Sequence, residues 1–337
     1  MKAARLHATG DLRVADEPVP EGGPGMSLVQ VTAVGICGSD LHWWDEAGIG
    51  DAKLERPLVL GHEAAGIVAD GPRRGERVAI DPAIPCERCR QCRDGYRNLC
   101  PNVRFAGHGR QDGAMRDFLT WPSERLHPLP DKLSDADGAM LEPLGVAIHA
   151  LDLGHLRVGG VAAVAGCGPI GLLLIQLLRV AGASAVVAVD PLAHRRKAAE
   201  ALGAGAAVSP DEVGRPEVLA GIAGADIDTA FEIAGTDDAV RLAMEGVRPG
   251  GRVVLAGIPP ADRTTFPASA ARRKGLTIAM VRRMNEVYPR AIELAERGAV
   301  ELTPVVTHRL PLSRADEAFR LAAGRTGLKV LVEPVPG

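Results

Sequence analysis

No part of this 337-residue chain carries a long block of charge of one sign: 39 Lys and Arg nearly balance 42 Asp and Glu, for a formal net charge of -3. Without a basic surplus there is no electrostatic footprint for nucleic acid, and no nucleic-acid partner is expected. An unbroken apolar run is missing too. Residues 158–178 are uncharged and about as long as a bilayer requires. However, Gly159, Gly160, Gly166, Gly168, Pro169 and Gly171 split them into a short β-branched run and a helical run, so no membrane partner is expected. The opening Met1-Lys2-Ala3-Ala4-Arg5-Leu6-His7 has no apolar h-region, so a secretory signal is not expected and a cytoplasmic location is. Internal repeats and low-complexity segments are also lacking.

What is present is ordinary globular material, 46% hydrophobic and 24% charged, in a chain too long for one core, so two domains are expected. The first third mixes short β-patterned runs (28–34, 77–80) with turn clusters such as 21–25. From about Val158 apolar runs alternate with helical stretches: 161–165, 170–180, 185–189, 195–202, 229–233, 236–247, 252–256 and 276–281, with another helix at 288–297. That alternation predicts an α/β domain with a parallel sheet closing near residue 280. The tail, 305–335, returns to strand, helix and strand.

Six cysteines occur, four of them at Cys86, Cys89, Cys92 and Cys100, a C-x2-C-x2-C-x7-C spacing in a loop rich in Arg, Asp and Gly. Thiolates suit tetrahedral zinc, and such short intervals let one segment wrap the ion. A disulfide pair conflicts with a cytoplasmic location, and iron–sulfur runs use other intervals. With all four positions cysteine, no place is left for substrate, so this zinc is structural.

Gly166-Cys167-Gly168-Pro169-Ile170-Gly171 fits G-x-G-x-x-G between a strand and a helix, and the next strand ends in Asp190. Gly166 permits the tight turn, Gly168 lets backbone approach a pyrophosphate, and Gly171 lets helix pack on strand. Asp190 is placed for ribose hydroxyls, which favours NAD, while Arg195 and Arg196 downstream temper that preference. Cys167 reads as a small filler.

Cys37 lies in Gly35-Ile36-Cys37-Gly38-Ser39-Asp40-Leu41-His42, and Gly61-His62-Glu63-Ala64-Ala65-Gly66 follows. Singly, a cysteine or a histidine of this kind is usually packing or surface. Together with the four-cysteine loop and the dinucleotide motif, the chain resembles, nearly end to end, the zinc-dependent medium-chain alcohol dehydrogenases. Within them it is most similar to the sorbitol and L-iditol (polyol) dehydrogenases. Leu141-Glu142-Pro143-Leu144 has glutamate where the horse-liver type has a cysteine ligand, and the segment Arg282-Arg283-Met284-Asn285-Glu286-Val287-Tyr288-Pro289 looks like its polyol counterpart.

The resemblance implies a Rossmann doubly wound parallel-sheet domain over 146–281 and a GroES-like β-barrel catalytic domain from 1–145 and 282–337. It implies two zinc ions per chain. Cys37, His62 and Glu63 hold the catalytic one, with Glu142 on the ion or on its water. Ser39 and His42 form a proton relay, and Trp43 and Arg282 meet the substrate. Gly166, Gly168, Pro169, Ile170, Gly171, Asp190 and Arg195 bind NAD. The implied activity is NAD-linked oxidation of a secondary alcohol, a polyol of the sorbitol, L-iditol or xylitol type, by a homo-oligomer, dimer or tetramer. The alternatives are oxidation of L-threonine or another amino alcohol and, from a different class, a non-catalytic dinucleotide-binding scaffold. His108 and His127 match no motif, and Asp40 is expected to make turn and backbone hydrogen bonds.

Overall fold

Two compact units make up the computed structural model, which describes residues 1–260 and 262–334; Val335, the expected end of the tail, lies outside them. The first unit comprises Met1–Glu142, Asn285–Gly298 and Leu302–Gly337, and the second Pro143–Met284 with Ala299–Glu301.

The first unit is built on the strand Met26–Gly35, whose side chains alternate between half-buried and buried from Met26 to Ala33, as a strand with one core face should. In its seven-stranded sheet the order runs Leu126–Pro128, Arg77–Ile80, Glu63–Val68, Met26–Gly35, Lys329–Glu333, Val306–Pro311, and Phe118–Pro122 also pairs with Met26–Gly35. All pairs are antiparallel except the last two strands in that order. A smaller sheet joins Asp11–Asp16, Lys2–Ala8 and Leu58–Val59. Leu6, Val31, Leu60, Trp121 and Phe319 are buried in their shared core. Register decides the chemistry here, because Gly35, the last residue before the Cys37 loop, lies opposite Glu63 on one side and Leu331 on the other.

The second unit holds a six-stranded parallel sheet in the order Ala206–Val208, Ala185–Val189, Val161–Ala165, Ile227–Glu232, Val247–Leu255, Thr277–Met280. In chain order this is 3-2-1-4-5-6, the doubly wound arrangement whose strand order reverses beside Val161–Ala165, where dinucleotides bind. Every residue of that strand is buried, which is why it reads as an unbroken run of Val and Ala and not as an alternation.

The helix Asp135–Gly154 is longer than its sequence suggests, since Gly138, Pro143 and Gly145 blur the helical period. It starts on a reciprocal cap. Ser134 Oγ accepts from the Asp137 amide at 3.1 Å, and Asp137 Oδ2 accepts from the Ser134 amide at 2.9 Å.

Candidate metal and dinucleotide sites

Cys86, Cys89, Cys92 and Cys100 place their sulfur atoms within 4.8 Å of one another, and none is in a disulfide. Two short helical turns achieve this. Cys89 precedes the turn Arg90–Arg93 and its sulfur accepts from the Cys92 amide at 3.5 Å, while the turn Arg97–Leu99 delivers Cys100. The backbone N–H groups of Arg88 and Cys89 pull the Cys86 thiol down to about 6, towards the thiolate a metal requires. Glu87 pins the loop by accepting from Arg97 and from Arg125, each at 2.7 Å. Four converging thiols without an oxygen or nitrogen donor fit structural zinc.

The second cluster joins Cys37, His62 and Glu63, again with donor atoms within 4.8 Å. Cys37 caps the helix Gly38–Glu46. Asp40, fully buried, organises the site: Oδ2 accepts from the Cys37 amide at 2.9 Å, and Oδ1 lies 3.3 Å from both the Gly61 amide and His62 Nδ1. The expected backbone bonds are there, and Asp40 adds one to the imidazole, which leaves His62 Nε2 for a metal. Burial opposes the protonated ring, but Asp40 and Cys37 outweigh it and hold His62 well above its ordinary range, as befits a pocket shaped for positive charge. Glu63 occupies the space a side chain at Gly35 would need: a Cβ there would fall 2.0 Å from Glu63 Oε2. Both oxygens of Glu63 accept from Lys329, a residue that the sequence did not flag.

Glu142 stands outside the three converging donors, yet His62, Glu63, Lys329 and Asp40 all act on its carboxyl electrostatically. Burial dominates and pushes it up to about 7. Ser39 Oγ lies 3.5 Å from His62 Nε2, and His42 Nδ1 lies 3.1 Å from Glu46 Oε1. A thiol, an imidazole and a carboxylate, with a further carboxyl near by, are a donor set that fits zinc with room for another oxygen ligand. Of the two expected substrate residues, Arg282 is exposed, whereas Trp43 is only 2% exposed and packs in the core, edge-on to His108 with ring centroids 5.4 Å apart.

In the second unit each glycine of the motif has its own reason. Gly166 adopts φ 104°, open chiefly to glycine; a Cβ on Gly171 would fall 2.0 Å from the Gly166 carbonyl oxygen; and Gly168 meets only Arg195 Nη1, 3.8 Å from where its Cβ would be. Pro169 and Ile170 open the helix Pro169–Val180, its N-terminus free for a pyrophosphate. Asp190 is 3% exposed, and its two oxygens accept from the Cys167 and Leu192 amides, each at 2.8 Å. A second buried acid, Glu232, ends the neighbouring strand and accepts from the backbone of Gly235, Ala234, Gly257 and Thr236. It steadies loops beside Gly166, and the sequence did not flag it.

Comparison with known proteins agrees with this geometry. Residues 23–131 match the model of the alcohol dehydrogenase GroES-like domain, and residues 169–297 that of zinc-binding dehydrogenase. Sorbitol dehydrogenase of Macaca fascicularis is 35% identical over 98% of this chain and 95% of its own. That of Bacillus subtilis (strain 168) is 33% identical over 99% and 97%. A solved structure described as a zinc-binding dehydrogenase of Sinorhizobium meliloti 1021, bound to NADP, superposes with a TM-score of 0.90 at 33% identity over 99% of both chains. The chain belongs to the zinc-dependent medium-chain alcohol dehydrogenases, oxidoreductases that act on the CH–OH group of small-molecule alcohols. Within that class it lies near the polyol branch. No helix among the described residues is long and apolar enough to cross a membrane.

Proposed function

We propose that this enzyme oxidises a secondary alcohol of a polyol of the sorbitol, L-iditol or xylitol type to the ketose, with NAD as hydride acceptor. The observation that carries the reading is the convergence of Cys37, His62 and Glu63 with Glu142, in place of a cysteine, beside them. Zinc held by these residues supplies a Lewis acid that lowers the pKa of the substrate hydroxyl. Glu142, whose carboxyl burial raises and a bound cation would lower again, would serve as the base that takes the released proton, and Ser39 with His42 offers a second route to solvent. Asp40 keeps His62 in one tautomer, and Arg282 donates to substrate hydroxyls. A dinucleotide held on the glycine loop, with Arg195 beside it, would supply the hydride acceptor. The buried charge of Asp190 disfavours a 2′-phosphate.

The test is a panel of polyols and amino alcohols with NAD and NADP, followed by NAD(P)H absorbance with and without a zinc chelator, alongside metal analysis. We expect two zinc ions per chain, turnover of polyols with NAD, and a weaker NAD preference in Asp190→Ala. Turnover of L-threonine but of no polyol would sink the substrate assignment. The same reading places the enzyme in the cytoplasm as a homo-oligomer, joined at the sheet edge where Ile278 and Met280 are 38% and 67% exposed; light scattering measures the subunit number.

A further inference from the structure

Lys329 opens the last strand, Lys329–Glu333, and is only 3% exposed, a burial that lysine tolerates only when paired. Its Nζ donates to Glu63 Oε1 at 2.8 Å, to Glu63 Oε2 at 2.7 Å and to the Ile36 carbonyl at 3.0 Å. An ammonium has three N–H donors, so none is left over. Ile36 directly precedes Cys37, and Glu63 directly follows His62. One buried cation therefore grips both segments proposed to supply the metal donors, while Gly35 brings its backbone close to Glu63 Oε2.

We propose that Lys329 is the positioning residue of the catalytic metal centre: it holds Glu63 by both oxygens as a restrained donor and fixes the Cys37 loop through Ile36. The inference rests on the reading of Cys37, His62 and Glu63 as metal donors. A carboxylate whose two oxygens already accept charge-assisted hydrogen bonds has less electron density to give a cation and less freedom to turn towards it. Glu63 so restrained shares the ion without filling every position, which keeps a place for the substrate oxygen. Without Lys329, both oxygens of Glu63 are released from hydrogen bonds, and beside a cation it becomes a stronger, blocking ligand.

Lys329→Met and Lys329→Arg in the full-length enzyme test this, read by chelator competition for the catalytic zinc, by the visible absorption of the cobalt(II)-substituted centre, and by kcat and KM. For Lys329→Met we expect the catalytic zinc to be held roughly tenfold more tightly, the scale of losing one positive charge beside a donor. The cobalt bands should shift, and kcat should fall with KM for the dinucleotide unchanged. Lys329→Arg should restore the spectrum. A wild-type cobalt spectrum and zinc affinity in Lys329→Met, or weaker zinc binding, overturns the proposal. Should Lys329→Met fail to fold because Glu63 is left buried and unpaired, the pair Glu63→Gln and Glu63→Gln/Lys329→Met decides. Unchanged or weaker zinc binding on adding the lysine substitution supports action through Glu63, and zinc held more tightly, by removal of the positive charge alone, overturns it. A wild-type enzyme with one zinc per chain brings down the donor assignment itself, whereas two zinc ions and an indifferent Lys329 bring down this inference alone.

Discussion

Glu142 shows how little a residue's type says about its behaviour once it is buried. A surface glutamate is ionised throughout the physiological range, but burial pushes this one up to about 7. If Glu142 is the proposed base, Glu142→Gln keeps the shape and removes the proton acceptor, so kcat should fall by roughly a hundredfold and the pH–rate profile should lose the limb that this carboxyl carries. His127 moves the other way. Burial, helped by Arg125 and Arg73, brings its imidazole down to about 4, and it stacks on Tyr288 with ring centroids 4.6 Å apart. The unfolded chain gains a proton near pH 6.5 that the folded one refuses until about pH 4, so the stability present above pH 6.5 is lost as pH falls through that window. With screening for its partial exposure, the loss is on the order of 2 kcal/mol. His127→Phe preserves the stack and should flatten the dependence of denaturation midpoint on pH between 6.5 and 4.

At the level of elements, the sequence was most readable where local physics acts alone. The strands Val161–Ala165 and Ala185–Val189 have the bounds their β-branched runs predict, because turns or loops close both ends and helices cover both faces. Each glycine of the dinucleotide loop likewise has the conformation or clearance expected of it. Gly171→Ala must push helix from strand to relieve a 2.0 Å approach, and we expect KM for the dinucleotide to rise about tenfold, with a stability loss of about 2 kcal/mol in chemical denaturation. The cysteine loop was legible as spacing, since its four thiols fall within 15 residues of chain. Cys92→Ser should remove one zinc per chain by metal analysis and lower stability by about 3 kcal/mol, because metal binding is coupled to the folding of that loop.

Across the whole molecule legibility fails, and for a definite reason. The partners of Glu63 and Ile36 lie 266 and 293 residues away on the last strand, and no local period marks such a pairing. Lys329 is the lone charge in Leu328-Lys329-Val330-Leu331-Val332, a run buried on both faces from Lys329 to Val332, and nothing local names the acid 266 residues away that pairs with it. Trp43 is the converse. The family pattern suggests a place at the substrate, and the fold buries the ring in the core, edge-on to His108. Glu142 is singled out through resemblance alone, since Pro143 directly after it masks the helix it stands on.

The insertion of Lys329–Glu333 beside Met26–Gly35 also sets an order of events in folding. Cys37, His62 and Glu63 are near one another along the chain, but the ammonium that meets Glu63 lies 266 residues further on. Until that strand pairs, Glu63 lacks its buried cation. On the proposed reading of these residues as metal donors, the site matures only once one distant strand has docked.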